Sequence, residues 1–265
     1  MSSLGAFRAL LSAAVQEAFM YRGRYVVGVL VGLVQISVLF FIWRAIMRDG
    51  QSQAGYDWPQ MQTYLLLSFL LSLLLSFGTE QRVSASIRDG NVSMDLLKPV
   101  HYMTLRVAEL TASVLIELLS AGLCLLLAAL TVVRAVPPEE GSQALLALSL
   151  FLAVALKAAI AVTTGVLCFW TTNVIGLIRC RQAVALLLSG SMFPLPMLPD
   201  WLQTMAWALP FQGSFHTPMV IYFGRTGTAE AVGLVALQML WLAALVGATR
   251  LLLNHGFRRM DTYGG

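Results

Sequence analysis

Few residues of this sequence have the types and spacing that catalysis, metal binding or nucleotide binding requires. The three histidines, His101, His216 and His255, lie in different polar segments, so we interpret each as an ordinary surface or interface residue. There is no HExxH zinc motif, no GxSxG nucleophile motif and no GxxxxGK[ST] phosphate loop. The three cysteines have no paired spacing, which predicts reduced thiols. The sequence therefore predicts no catalytic residue, metal site or bound cofactor in this chain.

Two charged residues interrupt the apolar runs and are candidates for a specific role. Glu117 lies in the predicted third membrane span and Lys157 in the predicted fourth. Charges at bilayer depth are costly and usually face a partner or a wet cavity, so the two could form a buried ion pair. Such a pair could act as a conformational latch or contact substrate. The alternatives are a static structural pair, or a lysine that reaches to the membrane edge.

The composition identifies the elements that must position these residues. Hydrophobic residues make up 58% of the chain and charged residues 11%, whereas a soluble domain has about 45 to 50% and about 25%. This composition counts strongly against a soluble protein. With about 20 residues needed per spanning helix, the 265 residues have room for six spans and their connections. We predict an all-α, polytopic membrane protein with a single transmembrane domain, residues 1–265.

Apolar runs and turn-forming residues place the elements along the chain. The six spans are predicted at about 25–47, 61–79, 107–133, 144–172, 183–197 and 229–253. Residues 1–24 are predicted to form an amphipathic helix on the membrane surface, the alternative being an extension of the first span. Residues 194–227 hold five of the nine prolines, which predicts a hairpin of two short helices that dips into the outer edge of the bilayer.

The positions of the 17 Lys and Arg residues predict the orientation. Twelve fall on the side of the N-terminus, four on the other side, and Lys157 lies within a span. Positive charge accumulates on the cytoplasmic side, so we expect a multi-pass protein of the cell inner (plasma) membrane with both termini cytoplasmic. Because these charges lie at membrane edges, no nucleic-acid partner is expected.

The most informative polar segment is the connection between spans two and three, residues 81–105. Gly90 breaks the chain, Asn91 can cap a helix, 92–97 can form a short one, and Pro99 ends it. This predicts a short helix beneath the membrane on the cytoplasmic side.

The segment 90–100 resembles the same connection in the permeases of ABC-2-type exporters, which carries a Gly, a short helix ending in a Leu-Leu pair, and a Pro soon after. Here these are Gly90, Leu96, Leu97 and Pro99. The order of N-terminal amphipathic helix, six spans and proline-rich outer segment also matches, so the resemblance covers essentially the whole chain. Residues 87–90, 96–100 and 259–265 most resemble the viologen-exporter-like or multidrug branch.

The resemblance implies that this segment is a coupling helix that docks into a separate ATPase subunit, where ATP and its Mg²⁺ bind. The other implied partners are a second permease, identical or different, and membrane lipids. The residues implied for ATPase docking are Asp89, Asn91, Met94, Asp95, Leu97 and Lys98.

Spans two and five supply candidates for the lining of a transport path. These are Phe69, Phe77, Met192 and Phe193, although Met and aromatic residues in spans more often pack or face lipid. Two other functions stay open. An ATP-independent carrier or channel would show polar stripes or an inverted repeat, and a lipid-acting membrane enzyme would show clustered catalytic residues at one membrane face. The residues themselves identify neither the cargo nor the direction of transport.

Overall fold

The computed structural model describes residues 12, 16, 22–48, 52–73, 136–139, 141–167, 170–171 and 174–261. Within these ranges the chain is all-helical, as predicted, apart from one isolated β-bridge between Gln53 and Tyr56. The named helices are α1 (Arg22–Ile46), α2 (Trp58–Leu73), α3 (Gln143–Val166), α4 (Val174–Leu188), α5 (Asp200–Trp207), α6 (Gln212–Tyr222) and α7 (Thr228–Asp261). A 3-10 turn, Leu195–Met197, precedes α5. Ser12 and Gln16, two polar positions of the predicted N-terminal helix, are helical and exposed.

The long helices present apolar surfaces to their surroundings. By length and composition, α3 and residues Thr228–His255 of α7 could each cross a membrane, and Leu30–Ile46 of α1 is a shorter apolar helix. In the apolar 18-residue stretch of each helix, only 33% of α3 and 22% of α7 is buried. The central helix of a soluble protein would be mostly buried, so these outward apolar faces favour a lipid environment.

Helices α2 and α3 run in the same direction. Near the start of α2, Thr63 Oγ1 accepts a hydrogen bond from the backbone N–H of Val136, which precedes α3, at 3.0 Å. Near its end, the carbonyl of Leu71 accepts one from Lys157 Nζ, far along α3. The starts of α2 and α3 therefore lie at the same end of the bundle.

Helix α7 packs along α3, also in parallel. Gln238 Nε2 donates to the carbonyl of Ser149 at 3.2 Å, and further along the two helices the hydroxyls of Thr163 and Thr249 lie 2.7 Å apart. The order of contacts shows that α7 starts at the same end of the bundle as α2 and α3.

The fifth predicted span differs from the structure in its bounds. We predicted 183–197, but α4 extends from Val174 to Leu188. Arg179 and Arg181, expected in a connection, lie inside this helix because arginine is a good helix former. Two residues after the helix ends, Gly190 has a φ of +85°, which suits a residue without a side chain.

The two short helices predicted within 194–227 are present as α5 and α6. Helix α6 has 11 residues, about 16 Å at ~1.5 Å per residue, which is too short for the ~30 Å apolar layer of a bilayer. Every residue of α6 from Gln212 to Ile221 is buried. A Cβ added at Gly213 would lie 2.8 Å from Leu156 Cδ2 and 3.2 Å from Gln238 Cγ, so this glycine permits α6 to approach α3 and α7 closely.

Candidate functional site at the loop end of the bundle

Three connections meet at the end of the bundle where α2, α3 and α7 begin. Their described residues are 48, 52–57, 136–139, 141–142 and 223–227, and we call this region the loop end. The backbone N–H of Glu139 donates to the carbonyl of Tyr222 at 3.0 Å, and the Tyr222 hydroxyl donates to the carbonyl of Val136 at 2.7 Å. All three connections were predicted on the outer side of the membrane.

The first connection contains a tight two-residue turn. Gln53 and Tyr56 exchange backbone hydrogen bonds of 3.2 and 2.9 Å. The residues between them, Ala54 and Gly55, have φ values of +49° and +80°, the geometry of a primed turn. Left-handed backbone is unfavourable for alanine, so this turn needs stabilisation from elsewhere.

Arg225 supplies that stabilisation from the third connection. Its Nη1 donates to the carbonyl of Ala54 at 3.3 Å, and its Nη2 donates to the carbonyl of Gly55 at 2.6 Å. Its guanidinium lies 3.7 Å from the centroid of the Tyr56 ring. A planar guanidinium can bond two carbonyls and stack on a ring at once, which an ammonium cannot. A Cβ at Gly55 would lie 2.7 Å from Arg225 Nη1, so the contact requires glycine.

The same arginine reaches the first turn of α2. Arg225 Nη2 donates to Gln60 Oε1 at 3.1 Å, and that oxygen also accepts the backbone N–H of Asp57 at 3.3 Å. The second bond satisfies a donor at the helix start, as in one half of a capping box. Arg225 therefore holds together the turn, the start of α2 and the connection that leads to α7. We call this set of contacts the Arg225 clamp.

Beneath the clamp lies an aromatic triad of Tyr56, Tyr64 and Phe223. Tyr56 is 5.4 Å from Tyr64 and 5.3 Å from Phe223 between ring centroids. Burial raises the pKa of Tyr56, although the charge of Arg225 lowers it in part, so the phenol stays neutral. The Tyr64 hydroxyl donates to the carbonyl of Gly190, where α4 ends. The triad thus connects α2 to the end of α4.

Three of the four candidates for path lining are among the described residues. Phe69 is buried on α2, and Met192 and Phe193 are half-buried in the turn that follows α4. The carbonyl of Met192 accepts a hydrogen bond from Trp43 Nε1 of α1 at 3.4 Å, and Phe193 packs against the cluster that contains the triad. Phe77 lies outside the described residues. A role in lining a path stays a prediction for all four.

Lys157 lies where α2, α3 and α6 meet. Besides its bond to the carbonyl of Leu71, its Nζ is 5.4 Å from the centroid of the Phe215 ring on α6. The predicted partner Glu117 lies outside the described residues, so the ion pair stays a prediction. The six candidate docking residues, Asp89, Asn91, Met94, Asp95, Leu97 and Lys98, also lie outside them.

Sequence reasoning missed several residues that organise this structure. Neither Tyr56 nor Arg225 belongs to a recognisable sequence motif, because the residues that they contact are remote in sequence. His216 was expected at a surface or interface, but it is buried on α6, with its ring 5.5 Å from that of Trp207. Gln238 could have been found, since an amide within an apolar span signals a polar contact. Among the described ranges no group of His, Cys, Asp or Glu could hold a metal ion.

The Arg225 clamp predicts the behaviour of Arg225→Lys. The lysine keeps the charge but loses the paired bonds to the turn carbonyls. We expect the turn to be destabilised by the equivalent of one net hydrogen bond, about 1 kcal/mol. The turn should then open more often, so amide exchange at Tyr56 should become roughly fivefold faster in hydrogen exchange mass spectrometry. Arg48→Lys, at an exposed arginine of the same end that makes none of these contacts, is the control. Equal exchange in the two variants would contradict the clamp.

Comparison with known proteins agrees with this architecture. The family model described as ABC-2 family transporter protein matches residues 33–264, a range that includes α2 to α7 and most of α1. A search of curated proteins gave no match. Members of this family are the membrane components of ABC transporters and are not themselves ATPases, and the family implies association with ABC ATPase subunits. With helices that present apolar faces outward, this chain is a membrane protein that belongs to the ABC-2 family, as a permease subunit of an ABC transporter.

Proposed function

We propose that this protein is the permease of an ATP-driven exporter, in which it forms the translocation path with a second permease and couples to ATPase subunits through residues 81–105. The observation that carries the proposal is the clustering of three connections at the loop end. Helix α2 starts there and proceeds away from it to Leu73, so we place the connection that follows α2 at the opposite end of the bundle. The proposed outer loops and the proposed ATPase contact are thereby separated.

The directions of the described helices support a six-span topology. Helices α2 and α3 are parallel, and Val136 lies beside Thr63, six residues into α2. A chain that leaves α2 at its far end and reaches Val136 must cross back an odd number of times. We propose one crossing, by residues 107–133. With α1, α2, α3, α4 and α7 this makes six spans, with the hairpin of 194–227 between the last two.

The contacts of α2 support a mechanism for the coupling. ATP-driven closure of two ATPase subunits would move the docking segment and, with it, α2 as a rigid body. Helix α2 contacts the start of α3 through Thr63, the end of α4 through Tyr64, and Lys157 through Leu71. A displacement of α2 therefore changes contacts at the loop end and, through Leu71, in the middle of α3. Within the docking segment we propose Asp89, Asn91, Met94, Asp95, Leu97 and Lys98 as the residues that contact the ATPase.

Membership of the ABC-2 family counts against an ATP-independent carrier and against a lipid-acting enzyme. From the sequence resemblance to the viologen-exporter-like or multidrug branch, we propose that the cargo is a drug or a viologen-like compound. The loop end is proposed to face outward from the inner membrane, with both termini in the cytoplasm.

Cysteine labelling tests this orientation. In a background without Cys124, Cys168 and Cys180, Ser52→Cys at the loop end should react with an impermeant maleimide added to intact cells. Ser93→Cys, the matched change in the docking segment, should react only after the membrane is opened. The reverse pattern would overturn the orientation, and labelling of both from outside would overturn the topology.

A pull-down tests the docking segment. Tagged full-length chain, extracted in mild detergent, should recover an ABC ATPase subunit together with ATPase activity. Asp95→Arg with Leu97→Arg should lose both, because two cations replace an acid and an apolar residue in the proposed contact. Asp200→Arg with Thr204→Arg, two exposed positions of α5, is the control and should retain both. If a correctly inserted wild-type chain recovers no ATPase, the exporter proposal fails.

We also propose that Glu117 and Lys157 form an ion pair. Its support is the placement of Lys157 within the bundle, at the junction of α2, α3 and α6, where a charge is costly without an opposite charge. A double-mutant cycle of Glu117→Gln and Lys157→Met, measured as thermal stability in nanodiscs, should show a coupling of about 0.5 to 3 kcal/mol. Pairing Glu117→Gln with Lys98→Met serves as the control and should be additive. Additivity in the first cycle would exclude the pair.

A further inference from the structure

A group of polar side chains is enclosed where α6 packs against α3 and α7. Ser149, Gln212, Thr217 and Gln238 are each 0% exposed. Gln238 Nε2 donates to the carbonyls of Ser149 and Gly213, at 3.2 and 2.7 Å. Thr217 Oγ1 donates to Gln212 Oε1 at 2.9 Å. These bonds connect all three helices in one cluster, which we call the polar junction.

Three atoms of the polar junction have no hydrogen-bond partner among the described residues. They are Ser149 Oγ, Gln212 Nε2 and Gln238 Oε1. The orientation of the Gln238 amide is fixed, because its nitrogen already donates to two carbonyls. Turning the Gln212 amide over would exchange one unpartnered atom for the other. The junction therefore offers at least one acceptor, one amide atom and one hydroxyl that can take either role.

Leaving these atoms unpartnered is unfavourable. A buried polar group without a partner costs more than an average hydrogen bond contributes, and nearly all buried polar groups in native proteins are satisfied. The three atoms belong to side chains that are linked through Gln238 and the backbone of Gly213, so one small molecule between the helices could serve them together. That molecule must be uncharged, because the described junction contains no ionisable side chain, and it must both donate and accept.

We propose that the polar junction binds an internal water molecule, held by Ser149 Oγ, Gln212 Nε2 and Gln238 Oε1. Water supplies two donors and two acceptors, and internal waters typically make about three hydrogen bonds to groups of this kind. The water accepts from Gln212 Nε2, donates to Gln238 Oε1, and either donates to or accepts from the Ser149 hydroxyl. Helix α6 is thus joined to α3 and α7 through an exchangeable ligand as well as by apolar packing. This inference is independent of the proposed transport function.

Whether Ser149→Ala lowers or raises the melting temperature tests for the presence of the water. In full-length protein in nanodiscs, Ser149→Ala removes a ligand of the water and should lower the melting temperature by a few degrees. A dry junction predicts the opposite, because deleting an unpartnered buried hydroxyl removes an unfavourable group. An unchanged or raised melting temperature would therefore overturn the proposal.

A pair of double variants tests whether the ligands act together. Ser149→Ala combined with Gln212→Leu should lower the melting temperature by less than the sum of the single changes, because either change alone already releases the water. The control combines Ser149→Ala with Thr163→Val, a position 14 residues further along α3 that bonds Thr249 instead, and should be additive. Additivity in both pairs would show that no shared ligand is present.

A density map of the wild-type protein gives a result that does not depend on any variant folding. At a resolution where ordered waters are visible elsewhere in the bundle, density should lie within hydrogen-bond distance of Gln212 Nε2 and Gln238 Oε1. An empty junction in such a map would overturn the proposal, whatever the pull-down experiment shows.

Discussion

The burial of α6 is the constraint on which the rest of this structure depends. The helix is too short to cross a bilayer, yet it is enclosed from Gln212 to Ile221. A short helix at membrane depth cannot leave its terminal backbone groups in lipid, because nothing there accepts or donates hydrogen bonds. It must be surrounded by longer helices, and α2, α3 and α7 contact it here. Gly213 makes that enclosure close, since a side chain at this position would meet α3 and α7.

The residues of α6, and those that follow it, contact the polar groups at the centre of the bundle. Its apolar residue Phe215 lies near the Lys157 ammonium, and its polar residues Gln212 and Thr217 form part of the polar junction. At its C-terminal end the chain turns back through Phe223 and Arg225, which complete the aromatic triad and the Arg225 clamp. One short helix therefore contacts, directly or through its flanking residues, Lys157, the polar junction, the aromatic triad and the Arg225 clamp.

The contacts of α2 suit the transmission of motion that we propose for this chain. Helix α2 is held at its start by the Arg225 clamp and near its far end by Lys157, so its ends are fixed to different neighbours. The segment that follows α2 is the one that we propose to contact an ATPase. Displacing α2 would strain the exposed clamp at one end and the Lys157 contact at the other, while the apolar faces of α1, α3 and α7 remain in lipid.

Local sequence was sufficient for the elements whose signal is local. Apolar runs predicted α1, α3 and α7 to within a few residues at most ends, and prolines predicted the two short helices. The bounds of α4 were wrong because two arginines suggested a connection, although arginine within a helix is unexceptional. The spacing of Gly90, Leu96, Leu97 and Pro99 indicated the family that the comparison then showed.

What the sequence by itself determined was the class of protein, its helical elements and its family, because these follow from hydrophobicity and spacing along the chain. Only the tertiary structure decided which polar residues meet. Arg225 and Ala54 are 171 positions apart, Gln238 and Ser149 are 89 apart, and Tyr64 and Gly190 are 126 apart. No local pattern encodes such pairs, since each depends on the directions of several helices and on how closely α6 can approach them.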